Sequence, residues 1–87
     1  MNANELKEYI IKNNKISLVL EKVGCHDIKE YHSEYRAALP DKTNPTAVTV
    51  KKDNLFTAVN SSDLSFVGDI FVLIMKLNNI SFGKANR

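Results

Sequence analysis

Apolar residues fall along this chain in two rhythms, helical towards both ends and alternating in the middle. Leu6, Tyr9, Ile10 and Ile11 recur at helical spacing, which predicts a helix over residues Glu5 to Asn13. Asn4 is the expected N-cap, and Glu5 and Glu8 place negative charge in the first turns, where the helix dipole favours it. Asn13-Asn14 interrupts the pattern. Ile16, Leu18, Val19, Leu20 and Val23 then predict a second short helix, closed by Gly24 at the C′ position, where a left-handed backbone is needed.

The middle of the chain reads as sheet. Tyr35-Arg36-Ala37-Ala38-Leu39 is extended and ends at Pro40. Asp41-Lys42-Thr43-Asn44-Pro45 is turn chemistry. Thr46 to Lys52 is rich in β-branched residues and predicts a strand, and Leu55 to Asn60 is its hairpin partner. Asp53-Asn54, both tolerant of positive φ, are the expected two-residue turn. These pieces predict a small antiparallel sheet of about three strands. Ser61 to Gly68 reads as a loop. A helix is expected from Asp69, its N-cap, to Asn78. Ile70, Phe71, Leu73, Ile74 and Leu77 cover so much of its circumference that it should form the buried centre of the domain. Asn78-Asn79 ends it, and Ser81-Phe82-Gly83-Lys84-Ala85 looks like the capped start of another helix. The expected class is therefore α+β, a single domain over residues 1–87 that is the front end of something longer.

Composition narrows the function. One cysteine, Cys25, excludes an intramolecular disulfide framework and a four-cysteine zinc site within one chain. Cys25, His26 and His32 do not have the spacing of a zinc knuckle, so no metal and no cofactor is expected. Catalysis by a Cys25 nucleophile would need a base and an orienting group in one pocket. With three glycines and no phosphate-loop pattern, the expectation is a non-enzyme. The start of the chain is polar, and the longest apolar run, Ile70 to Met75, is far short of a membrane span. A cytoplasmic protein with a reduced thiol and no membrane contact follows as the default.

Twelve Lys+Arg against ten Asp+Glu leave a formal charge of +2, too small to name a partner. The distribution says more. Arg36, Lys42, Lys51 and Lys52 lie on or beside the predicted sheet, with Tyr31, Tyr35 and Phe56 close in sequence and Asn44 and Asn60 available for hydrogen bonds. Aromatic side chains on a basic sheet can stack unpaired bases while cations follow the phosphates. The expected interface is Tyr35, Arg36, Lys42, Asn44, Lys51, Lys52 and Phe56, with Arg36, Lys51 and Lys52 on phosphate and Tyr35 and Phe56 stacking. At this net charge, binding should be weak and salt-sensitive. A competing expectation is a protein-interaction or dimerisation module of a replication protein, possible as a homodimer, without nucleic-acid contact.

The order of these pieces resembles a known family. Tyr35-Arg36-Ala37-Ala38-Leu39-Pro40, Asn44-Pro45-Thr46-Ala47-Val48-Thr49-Val50, Asn54-Leu55-Phe56-Thr57, Gly68-Asp69-Ile70-Phe71-Val72-Leu73-Ile74-Met75 and Ile80-Ser81-Phe82-Gly83-Lys84-Ala85 follow the layout of the N-terminal zinc-binding domain of bacterial and phage DNA primases. The closest likeness is to a metal-less branch in phages and mobile elements, where a Gly-Cys-His segment, here Gly24-Cys25-His26, precedes the strand. The likeness spans about four fifths of the chain. It implies a zinc-ribbon-like sheet with flanking helices and a non-catalytic, single-stranded-template-binding role in DNA replication, beside a primase catalytic domain or a helicase. The family's metal ligands are missing: the first knuckle cysteine falls on Leu39, its histidine near Lys42, and the second knuckle within Thr57 to Ser61. Leu39, Val48, Val50 and Val59, with the helix from Asp69, are expected to replace the metal by apolar packing.

Overall fold

The structure is a computed structural model and describes residues 2–62 and 64–85. Two helices, α1 (Ala3–Lys12) and α2 (Ile16–Lys22), precede five strands, β1 (His26–Glu30), β2 (Glu34–Ala38), β3 (Val48–Lys51), β4 (Phe56–Asn60) and β5 (Ser65–Asp69), and a third helix, α3 (Ile70–Ala85), closes the order. The α+β class expected from the sequence is what the chain adopts. The sheet is a meander in the order β1-β2-β3-β4-β5, antiparallel throughout, so among the described residues it has five strands and not the three expected.

Both unforeseen strands are edges. β1 carries Asp27, Lys29 and Glu30, and all but one of its residues are exposed; β5 occupies what reads in the sequence as a loop. An edge strand is held by one ladder of backbone hydrogen bonds and need not bury a face, so it leaves no apolar alternation to detect. The register of β1 shifts between His26 and Lys29, where Asp27 adopts φ 52°. This is a bulge of the kind that bends an edge.

Helix ends follow local chemistry. The N-cap of α1 is Asn2, whose side chain accepts from the Glu5 N–H at 2.9 Å; the expected cap, Asn4, lies inside the helix. Asn14 takes φ 54° and turns the chain into α2. α2 ends as predicted. Gly24 has φ 98°, its N–H donates to Glu21, and the Cys25 N–H reaches back to Leu20 at 3.0 Å. That pair of bonds is a Schellman closure. A Cβ at Gly24 would also meet Pro40 Cγ at 3.1 Å, so the helix end is pressed against the chain leaving β2.

The core lies between the helices and one face of the sheet. Ile10, Ile16 and Leu20 meet Tyr35, Ala37, Leu39, Val48, Val50, Val59, Ile70, Leu73 and Leu77 in one buried cluster. Leu39, Val48, Val50 and Val59 are thus all core residues. α3 contributes a stripe, Ile70, Leu73 and Leu77, while Met75 is 60% exposed; it packs by one side and is not enclosed all round. The Asp69 carboxylate accepts from the Phe71 N–H at 3.0 Å and pairs with Lys7, so Asp69 caps α3 as expected and ties it to α1. The helix then runs through Asn78-Asn79 to Ala85, where a stop and a fresh start at Ser81 were expected. Asparagine in a helix interior costs only a fraction of a kcal/mol relative to better helix formers.

The β3–β4 turn differs from the expected two-residue hairpin. Val50 pairs with Thr57, which leaves Lys52 to Leu55 as a four-residue loop. The Leu55 N–H donates to Lys51 at 3.0 Å, the Asn54 side chain accepts from the Phe56 N–H at 2.9 Å, and the positive φ, 60°, falls on Leu55. Asp53 and Asn54 supply the turn but not the left-handed residue. The result turns Leu55 fully inward and leaves Phe56 46% exposed.

Candidate nucleic-acid interface

Strand alternation and register assign every sheet residue to a face. Arg36 pairs with Lys29 and Thr49, Glu34 with Lys51, Thr49 with Ala58 and Ala58 with Val67, and Phe56 stands two residues before Ala58 on β4. These residues share the face opposite the core cluster. On that open face Phe56 is 46% and Val67 71% exposed. Tyr31 lies just past the end of β1, and the Arg36 guanidinium carbon sits 5.0 Å from its ring centroid, a cation–π contact.

A carboxylate holds Arg36 and Lys51 on this face. Glu34 is 7% exposed. One of its oxygens accepts from Arg36 Nε at 2.5 Å and the other from Lys51 Nζ at 2.7 Å. The bond from Lys51, followed by that from Arg36, keeps the Glu34 carboxyl below the usual range despite the opposing effect of desolvation. The three side chains together carry a single positive charge. Beside them a cleft of about 600 Å³ opens between the β1–β2 turn and the β3–β4 loop, lined by His32, Ser33, Lys51, Lys52, Asn54 and Phe56 among others. Its volume lies within the range of small-ligand sites, roughly 300–1,000 Å³.

The residues expected at the interface fall in three places. Arg36, Lys51 and Phe56 come together on the open face. Tyr35 is on the core side and 4% exposed; its hydroxyl donates to Asn14 Oδ1 at 3.0 Å, and Lys52 Nζ lies 5.2 Å from its ring. Burial pushes its phenol pKa up. The expectation that Tyr35 stacks a base is therefore corrected: its ring is packed in the domain, and Tyr31, 44% exposed, is the aromatic side chain that stands beside Arg36. Lys52 follows Tyr35 to the core side and bonds Glu30 at 2.6 Å, which leaves this pair neutral. Lys42 and Asn44 sit at the other end of the strands, in a depression of about 340 Å³ shared with Asn60. There Asn44 Oδ1 accepts from the Thr46 N–H and hydroxyl at 3.0 and 2.8 Å, so it is engaged in shaping its own loop. From Phe56 to Asn60 the open face runs four residues along β4, about 13 Å at 3.3 Å per residue.

Glu34 was missed in the sequence. The signal was available, since Glu34 and Arg36 are two apart in a strand and must share a face, but the register that brings Lys51 to them is not legible from spacing. His26 is a structural residue: its Nε2 donates to the Lys42 carbonyl at 2.6 Å and Nδ1 lies 3.1 Å from Asp27 Oδ2, which pins the β1 bulge to the loop after β2. Cys25 is buried, with its thiol pushed up to about 11 by desolvation, a poor nucleophile. Among the described residues no group of three or more His, Cys, Asp or Glu is placed to hold a metal ion, and no helix is long and apolar enough to cross a membrane. Comparison with protein-family models, curated proteins and solved structures gives no match to this chain.

Proposed function

We propose that the open sheet face binds single-stranded DNA without sequence readout, as a non-catalytic module of a DNA primase of the phage or mobile-element type acting in replication beside a separate catalytic domain or helicase. The observation that carries the reading is the juxtaposition of exposed Phe56 and Tyr31 with Arg36 and Lys51 on the face turned away from the main core cluster. Bases stack on the two rings and phosphates meet the two cations, a sequence-tolerant mode of binding. The zinc-ribbon-like layout, with apolar residues at the ligand positions, belongs to this proposal, as does a cytoplasmic setting.

Fluorescence anisotropy of a labelled single-stranded oligonucleotide, titrated at several salt concentrations, tests it. Binding at low salt that weakens steeply with added salt, and that falls on Phe56→Ala, supports the reading. No binding at low salt, or binding indifferent to Phe56→Ala and Lys51→Ala together, refutes it. The second reading, a protein-interaction or dimerisation module, is favoured by one feature: Val67, 71% exposed at the centre of edge strand β5. It predicts a concentration-dependent mass in sedimentation that Val67→Lys abolishes.

A further inference from the structure

Glu34 occupies an unusual place for an acidic side chain. It lies on an interior strand and is nearly buried, yet faces the open side of the sheet. Its two oxygens are divided between Arg36 and Lys51, side chains that are themselves 41% and 45% exposed. A carboxylate that accepts from an arginine and a lysine at once is arranged as a phosphate would be. The contact with Arg36 engages Nε, and arginine carries five N–H donors and lysine three. Both cations therefore keep donors for an outside ligand while their charge is half cancelled from within.

We infer that Glu34 is an internal counter-anion of the interface. It holds Arg36 and Lys51 in position as a ready-made pair and tunes the affinity of the face for phosphate by cancelling one of the two charges that this pair carries. This inference rests on the reading of the open face as a single-stranded DNA site and adds its regulation. Phosphate groups meet a Glu34–Arg36–Lys51 cluster of net charge +1, which supplies one effective ion contact where it displays two cations; Lys29, paired with Arg36 on the same face, lies outside the grip of Glu34. Glu30 and Lys52 provide the internal comparison, for they form a similar ion pair at 2.6 Å but on the other side of the sheet.

The magnitude follows from counterion release. Each phosphate neutralised on a single strand contributes about 0.7 to the slope of log K against log salt. Uncovering one cation steepens the slope by about 0.7, which at about 0.1 M salt, extrapolated against a 1 M reference, is about fivefold tighter binding. The experiment is the anisotropy titration with a labelled oligo-dT over a salt series, on the whole chain and on Glu34→Gln and Glu30→Gln. Glu34→Gln should bind about three- to fivefold tighter with the steeper slope; Glu30→Gln, which makes the same change in net charge, should move binding less than twofold. Equal effects of the two variants, or weaker binding by Glu34→Gln with an unchanged slope, overturn the inference and leave the DNA reading standing. If neither the parent chain nor Glu34→Gln binds, the DNA reading fails and this inference with it. Should the glutamine variant melt, Glu34→Thr, a β-branched neutral residue suited to an interior strand, makes the same charge change and is read in the same way.

Discussion

Leu55 makes two demands on the chain that pull in opposite directions, and substitution there separates them. Its side chain is fully buried, and its backbone sits at φ 60°, a region that costs an ordinary L-residue roughly 1–2 kcal/mol. Truncating a fully buried leucine to alanine costs about 2.7–5.0 kcal/mol through lost transfer energy and a residual cavity. Leu55→Ala should be in that range, a large share of the roughly 4–13 kcal/mol expected for a domain of this length. Leu55→Gly removes still more side chain, and in ordinary backbone glycine is the worse residue by about 0.5–1 kcal/mol. At this position it also releases the left-handed strain. The two terms leave Leu55→Gly equal to Leu55→Ala or up to about 1.5 kcal/mol more stable, a reversal of the usual order. Urea unfolding followed by far-ultraviolet circular dichroism reads both, with a stabilising osmolyte present throughout so that the variants stay folded. A Leu55→Ala cost below about 1 kcal/mol would refute full burial. A glycine variant clearly less stable than the alanine variant would refute the left-handed turn, and with it the geometry that turns Phe56 outward.

Three further outcomes follow from the same structure. With its thiol at about 11 against an ordinary 9.0, Cys25 should be alkylated by iodoacetamide at pH 8 roughly a hundredfold more slowly in the folded chain than in urea; equal rates would show that it is exposed. Glu34 and Glu30 have lowered pKa values through bonds from Lys51 and from Lys52 respectively, and Asp69, which burial pushes up, is brought below its ordinary value by Lys7 and the Phe71 N–H. Groups depressed in the folded state stabilise it above the unfolded carboxyl pKa of about 4 and lose that contribution as pH falls through the folded values; the urea midpoint should therefore drop between about pH 5 and pH 3, and a midpoint unchanged there would contradict these pairings. Elemental analysis of purified protein should find well under about one zinc per chain, since a closed site needs four ligands; stoichiometric zinc would overturn the proposed zinc-ribbon-like layout with apolar residues at the ligand positions.

Much of the candidate site was readable from residue types alone. β-Branched residues around Val48 and Val50 announce a strand, Gly24 after a helical run announces a stop, and Phe56 beside Lys51 at a turn announces an aromatic next to a cation. Alternation from Thr46 to Lys52 also puts Thr49 and Lys51 on the solvent side and Val48 and Val50 on the other; what escaped reading was the side taken by Tyr35. Tyr35 and Arg36 are neighbours in sequence, and alternation sends one into the core and the other to the open face. Lys51 and Lys52 part in the same way. The period is plain in the sequence, and the phase of β2 is fixed by α2, which packs against it.

The sequence by itself determined the α+β class, the two opening helices, the central hairpin and the apolar set that forms the core, because those depend on local propensity and on hydrophobic period. Tertiary structure alone decided the two edge strands, the unbroken length of α3 and the grip of Glu34 on Arg36 and Lys51. The edge strands depend on pairing with a neighbouring strand, and the Glu34 contacts on register. Ladder bonds hold β1 and β5, which each set a single apolar side chain, Ile28 and Phe66, against the core, and the Glu34–Lys51 contact exists because the register of β2 against β3 places residues 17 apart side by side.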